Sequence, residues 1–191
     1  MLGRYLGLVC LFWRQSNEGM LRRIDADVAP LQQTFGIAPT AALIHIKQGL
    51  SDPHNGGQAV SVLTFATPDG DSTSRLVYKP KDMGVDLAYQ QALDHLNRNT
   101  ALPPLRRLSI HCGDDYGYME FVEHRLCRGE DELKLFYRNA GRLTAVLHLL
   151  GCTDCHHENL IACGDQLLLI DTETLLEADL TDHISDASEY Q

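Results

Sequence analysis

Positive charge is in short supply in this chain: 16 lysine and arginine residues stand against 26 aspartate and glutamate residues, a formal net charge of −10. So few cations leave no electrostatic footprint for wrapping nucleic acid or for adhering to an anionic membrane. A bound nucleotide would therefore have to be held by local features and metal ions. Long apolar runs are missing too. The run at 5–13 is too short to span a bilayer. Arg4 before it imitates a signal peptide, but no small-residue cleavage site follows and Arg14, Arg22 and Arg23 come soon after. Leu2, Leu6, Val9 and Trp13 fall at helical spacing and predict a partly buried helix, with no stable membrane insertion. Internal repeats and low-complexity linkers are absent. The six cysteines, Cys10, Cys112, Cys127, Cys152, Cys155 and Cys163, are spread irregularly. Without a secretory signal they read as reduced thiols of a cytoplasmic protein.

What is present is ordinary globular material: 191 residues, 44% hydrophobic and 22% charged, enough to bury a core. Residues 2–34 read as mainly helical, with Pro30 as a kink or stop. Strands are expected over 40–48, 58–66 and 74–79, the last two joined by the turn Pro68-Asp69-Gly70-Asp71. An amphipathic helix over 86–98 is stopped by Pro103 and Pro104, and strands follow at 105–111 and 117–122. A long helix over 130–150 leads into a polar loop at 151–159. Two short strands, 160–162 and 167–170, are then joined by Gly164-Asp165. The expected fold class is α+β. Residues 1–40 form an N-terminal helical segment, 41–124 a β-rich nucleotide-binding lobe with its hinge, and 125–191 the start of a helical catalytic lobe.

The strongest constellation is Asp154-Cys155-His156-His157-Glu158-Asn159 followed by Asp171. Protein kinases space their catalytic loop and metal-binding aspartate in nearly this way. The first carboxylate accepts or orients the proton of an attacking hydroxyl. The asparagine amide oxygen ligates magnesium, and a hairpin returns the second carboxylate to the same metal. Lys79, ending the strand Arg75-Leu76-Val77-Tyr78-Lys79, is placed to reach nucleotide phosphates as a point charge, with Lys81 a nearby competitor. The helix after it contains no glutamate to pair with the lysine; Asp86 and Asp94 are its acidic candidates. Gly56-Gly57, with Asp52 and His54, offers backbone amides to phosphates, although neither a Walker motif nor GxGxxG is present. The apolar strand 116–122 fits a hinge that meets adenine. Cys152, Cys155, His156, His157 and Cys163 raise a zinc site as a different reading, but a second ligand pair with standard spacing is missing.

Several segments in order resemble one family, the class II (LanM-type) lanthionine synthetases. Leu76-Val77-Tyr78-Lys79-Pro80-Lys81 is similar to its VYKPR segment. The stretch 151–162 resembles its DxHxEN segment, and Leu169-Ile170-Asp171-Thr172-Glu173-Thr174-Leu175 its IDLETL segment. Ser51-Asp52-Pro53-His54 with Gly57 resembles GDxHxxG, and 116–122 resembles YGWVEFV. The family has leucine where Thr172 stands and arginine where Lys81 stands.

The resemblance implies the dehydratase domain of such an enzyme, with a two-lobed, lipid-kinase-like fold that uses ATP and Mg2+. Its activity is phosphorylation of Ser and Thr in a leader-containing precursor peptide, followed by phosphate elimination to dehydroamino acids. By motif match Lys79, Asp52, His54 and Glu173 serve the nucleotide. Asp154, His156 and Asn159 form the catalytic loop, and Asp171 with Asn159 holds the metal. The family's full elimination machinery is not among the matched motifs, and its C-terminal zinc cyclase domain lies beyond them. The alternative expectation is a truncated, non-catalytic module that binds nucleotide or peptide.

Overall fold

The computed structural model describes residues 2–51 and 56–176. They form four helices and seven strands in two compact units. One unit holds residues 1–94 and 107–121, the other 95–106 and 122–191.

The first unit starts with two helices, α1 (Leu2–Ala26) and α2 (Val28–Phe35). The helical segment was expected to break at Pro30. It breaks instead at Asp27, and Pro30 sits in the first turn of α2, where a missing N–H goes unnoticed. The Asp27 side chain is occupied elsewhere: its Oδ2 accepts the hydroxyls of Tyr116 at 2.8 Å and Tyr118 at 3.1 Å. Arg23, one turn earlier, donates to the Tyr78 hydroxyl and to both Asp115 oxygens, each at 2.7 Å, and stacks over the Tyr116 ring.

These contacts seat the helix pair on a five-stranded antiparallel sheet. Its strands are β1 (Ala42–Lys47), β2 (Ser61–Ala66), β3 (Thr73–Lys79), β4 (Ile110–Cys112) and β5 (Gly117–Glu120), in the order β1-β2-β3-β5-β4. The register pairs Leu63 with Leu76 and Tyr78 with Tyr118. Strand alternation therefore puts Leu63, Phe65, Leu76, Tyr78 and Tyr118 on one face. With Met20, Ile24, Leu31 and Ile37 they form the core. Lys79 falls on the other face. The first half of α1 keeps its apolar residues in the open, with Leu2, Tyr5, Leu6 and Trp13 all exposed.

Helix α3 (Gly84–Asn99) begins in the first unit. The strand expected over 105–111 is mostly not one; only its end joins β4. Side-chain amides of α3 take the place of a ladder. Gln90 accepts the Leu108 N–H at 2.8 Å, and in the second unit Asn97 pairs with both backbone groups of Leu105 at 2.9 and 2.8 Å.

The second unit is built on α4 (Glu130–Leu149), packed against a hairpin of β6 (Leu160–Cys163) and β7 (Gln166–Leu169). Leu143, Leu147, Leu168 and Leu169 are among its buried apolar residues. The two-residue turn has Gly164 at φ +63, and a Cβ there would lie 1.7 Å from an Arg125 guanidinium nitrogen. Only glycine meets both demands. Arg125 also donates to Glu132 at 2.7 Å, and buried Asn139 holds the turn by donating to the Asp165 carbonyl at 2.8 Å.

Two outcomes follow from the tyrosine–aspartate cluster. Asp27→Ala leaves the hydroxyl of fully buried Tyr118 without its acceptor and should cost about 1–3 kcal/mol in urea unfolding. Adding Tyr118→Phe should recover part of that loss, and an unchanged midpoint in Asp27→Ala would show the carboxylate to be idle. The second outcome concerns alkaline pH. Burial, followed by the Asp27 hydrogen bond and charge, pushes the Tyr116 hydroxyl from 10.0 up to about 12, and burial with the Asp27 charge raises Tyr118 as well. Unfolded tyrosines lose their protons first, so this stabilisation is complete below 10.0 and is lost as pH rises through about 12. Melting temperature should fall across that window, and less steeply in Tyr116→Phe.

Candidate functional site

Each unit carries one group of the residues singled out above. In the first, Lys79 closes β3 opposite Gly117, and only 5% of it is exposed. Its Nζ lies 3.3 Å from Oδ1 of Asp86, itself 1% exposed, in the first turn of α3. The helix thus supplies an acidic partner where the pattern lacks a glutamate, and of the two candidates it is Asp86. Asp94 pairs with Arg107 at 3.1 Å. Gly117 makes room for this arrangement, since a Cβ on it would stand 2.7 Å from both the His111 carbonyl oxygen and the sulfur of wholly buried Met83.

Gly56 and Gly57 lie against Phe12 of α1. A nearby cavity of about 370 Å³, lined by Trp13, Gly57, Ser61 and Tyr78 among others, is on the helix side of the sheet. By strand alternation that is the face opposite Lys79. Asp52 and His54 fall outside the described residues.

In the second unit the backbone sets out in order the residues of the expected catalytic loop. Helix α4 ends in a Schellman motif: Gly151, at φ +63, donates to the His148 carbonyl at 3.1 Å, and Cys152 donates to that of Leu147 at 2.9 Å. Asp154 follows and is held from three directions. Its N–H donates to Thr174 Oγ1 at 3.1 Å. Its Oδ2 and its own carbonyl each accept from Asn159 Nδ2 at 3.0 Å. Its Oδ1 lies 3.2 Å from His156 Nε2. His156 Nδ1 accepts the Glu158 N–H at 3.1 Å, which leaves Nε2 on the side of Asp154. The Asp154 side chain remains 48% exposed. A carboxylate has about four lone-pair sites, so acceptor capacity remains toward solvent.

The hairpin then does what the spacing anticipates. The Ile170 N–H donates to the Asn159 carbonyl at 2.9 Å, which brings Asp171 directly beside Asn159. Asp171 Oδ1 accepts the Glu173 N–H at 3.3 Å, while Glu173 itself is exposed. Because Asn159 directs its amide nitrogen at Asp154, its oxygen is the end left to face a cation. The oxygens of Asp171 and Asn159 are hard donors of the kind magnesium prefers, with phosphate oxygens and water completing the shell. By donor chemistry these residues fit that ion. Among the described residues, no group of three or more His, Cys, Asp or Glu side chains converges to hold a metal ion of any kind, so such an ion would rest on Asp171 and Asn159 with non-protein ligands. All six cysteines are free thiols.

Thr174 escaped the sequence reading. It lies in the segment that resembles IDLETL, but nothing local announces that its hydroxyl takes the Asp154 N–H and stands 3.7 Å from Cys152 Sγ.

The profile of the family described as "Domain of unknown function (DUF4135)" matches residues 1–191. The chain belongs to that family, and the resemblance to LanM-type lanthionine synthetases is borne out. A curated relative, the lacticin 481/lactococcin biosynthesis protein LcnDR2 of Lactococcus lactis subsp. lactis, is 29% identical over 133 residues. That match covers 65% of this chain and 14% of the relative. No helix among the described residues is long and apolar enough to cross a membrane.

Removing one partner of the buried Lys79–Asp86 pair should be far worse than removing both. Lys79→Met strands a carboxylate that has almost no access to water, and about 3–5 kcal/mol of stability should be lost. Lys79→Met combined with Asp86→Leu should regain most of it in denaturant titrations. A double variant no more stable than Lys79→Met would show that the pair is not what these residues contribute.

Proposed function

We propose that this chain takes part in lanthipeptide biosynthesis by phosphorylating Ser and Thr side chains of a leader-containing precursor peptide, with ATP and Mg2+. The observation that carries the reading is the state of Asp154, fixed by Asn159, His156 and Thr174 yet half open to solvent. A carboxylate held in this way can accept the proton of a substrate hydroxyl without first reorganising. The family membership and the lantibiotic relative support the substrate class.

Magnesium-bound ATP would supply the phosphoryl group. Asp171 and the Asn159 amide oxygen would hold the ion, with Glu173 on the same segment serving the nucleotide. His156 Nε2 stands 3.2 Å from Asp154 Oδ1. Asn159 thus has two jobs, since its nitrogen fixes the base and its oxygen meets the metal. Lys79 matches the family's phosphate-binding lysine, and in the first unit its ammonium is buried against Asp86. Asp154 is fixed by Asn159 and Thr174 and its side chain is half exposed, so we assign proton acceptance to Asp154.

The test uses the chain, Mg-ATP and a precursor peptide with its leader, read by mass spectrometry. Phosphopeptide should accumulate rather than dehydrated peptide. Asp154→Asn should slow phosphorylation by about 10²–10⁴-fold, with ATP binding largely retained. Asp171→Asn should instead weaken magnesium-dependent nucleotide binding, because it removes a charge facing a dication. Dehydrated product from this chain alone would overturn the assignment of its endpoint, and undiminished phosphorylation by Asp154→Asn would overturn that of its base.

A further inference from the structure

The catalytic loop carries two thiols that the chemistry above does not use. Cys152 and Cys155 flank Thr153-Asp154, so any bond between them closes a small ring around Asp154. They are three residues apart on one loop, both are free thiols, and the nearness of Cys152 is among the causes that raise the Cys155 thiol. Both line a cavity of about 320 Å³ whose other walls include Leu143, Leu147, Leu160 and Leu167. Cys152 is anchored from behind by its N–H bond to Leu147 and is half-buried, whereas Cys155 is exposed. The Thr174 hydroxyl links the pair to the base, because it meets Cys152 Sγ at 3.7 Å and accepts the Asp154 N–H at 3.1 Å.

We propose that Cys152 and Cys155 form a dithiol switch, in which a disulfide between them releases Asp154 from Thr174 and silences the loop. The proposal rests on the phosphotransfer reading for its effect on activity, but not for the bond or the loop movement. The two sulfurs must come to about 2.05 Å of each other. Cys152 Sγ then leaves Thr174, and the two-residue span containing Asp154 is drawn into the new ring. The Asp154–Asn159 contacts depend on the placement of that span.

The chemistry balances with a small organic disulfide as oxidant. The thiolate of exposed Cys155 attacks one sulfur of the reagent, its S–S bond breaks, and one reagent thiol departs. Cys152 gives its proton to solvent and attacks the mixed disulfide at Cys155, which expels the second reagent thiol. Two protein thiols have lost two electrons and two protons, and the reagent has gained them. Partial burial, the nearness of Cys152 and the charge of Asp154 push the Cys155 thiol up to about 12. Little thiolate exists at neutral pH, so the pair closes slowly, and faster as pH rises.

The experiment equilibrates the chain in buffers of reduced and oxidised glutathione, blocks free thiols, and maps disulfides by peptide mass spectrometry. Hydrogen exchange is followed at the Asp154 amide, and phosphorylation in parallel. A Cys152–Cys155 bond should form, with Asp154 exchange faster by at least about tenfold as its bond to Thr174 opens. Reduction should reverse both changes, and the double variant Cys152→Ser/Cys155→Ser should show neither. Phosphorylation should fall and recover in step with the bond. If the reduced chain proves inactive, the functional reading fails, while the mapping and exchange still decide the switch. A bond to any other cysteine, two blocked thiols under oxidising buffer, or a Cys152–Cys155 bond with unchanged exchange would overturn it.

Discussion

A lysine ammonium and an aspartate carboxylate shut away from water, 3.3 Å apart, are the demand around which the first unit is organised. Either charge alone would be expensive to bury, and together they are tolerable only in good register. That register is set by neighbours. The strand end bearing Lys79 faces a glycine, so Met83 can close over it, and the next turn of chain begins the helix that brings Asp86. Further along that helix Gln90 holds the Leu108 amide. The apolar core lies on the opposite face of the sheet, and β3 serves both sides by alternation, with Leu76 and Tyr78 inward and Lys79 outward.

The second unit meets a different requirement, which is to hold a carboxylate still while leaving it wet. Its solution is backbone geometry supplemented by short polar side chains. A Schellman turn stops α4, a tight glycine turn aligns the hairpin, and Asn139 and Arg125 hold that turn from α4 and from the preceding segment. Asn159 then joins the two ends of the arrangement, bonded to Asp154 by its side chain and to Ile170 by its backbone. Interactions of this kind fix direction more than they add stability, which suits the role proposed for Asp154.

Much of this was legible in the sequence because it is local. The period of the apolar residues marks the helices, and the glycine-containing turns mark both hairpins. The five-residue step from Asp154 to Asn159 places them on one loop. What was hidden depends on distant partners. The helix break lies at Asp27 and not at Pro30, and the Asp27 carboxylate is bonded to tyrosines 89 and 91 residues away that no local pattern reveals. Residues 105–109 have strand-like composition, but amides from Gln90 and Asn97 take the place of a ladder. Sequence alone narrowed the partner of Lys79 to two acids, and the structure separates them, since Asp86 lies 3.3 Å from Lys79 while Asp94 pairs with Arg107. Thr174 supports Asp154 across 20 residues with no local signature at all.

One position shows that the fold has slack. Thr172, between the proposed metal ligand Asp171 and exposed Glu173, is 1% exposed, and its hydroxyl has no hydrogen-bond partner among the described residues. The resembling family carries leucine there. An oxygen stripped of water with nothing in exchange is a deficit of about 1–3 kcal/mol, sizeable against the total stability of an ordinary domain. The chain is therefore less robust than its own architecture allows. For anyone who wants a hardier version of this protein, the margin lies at residue 172, in a methyl that would replace one atom and disturb none of the side-chain hydrogen bonds around it.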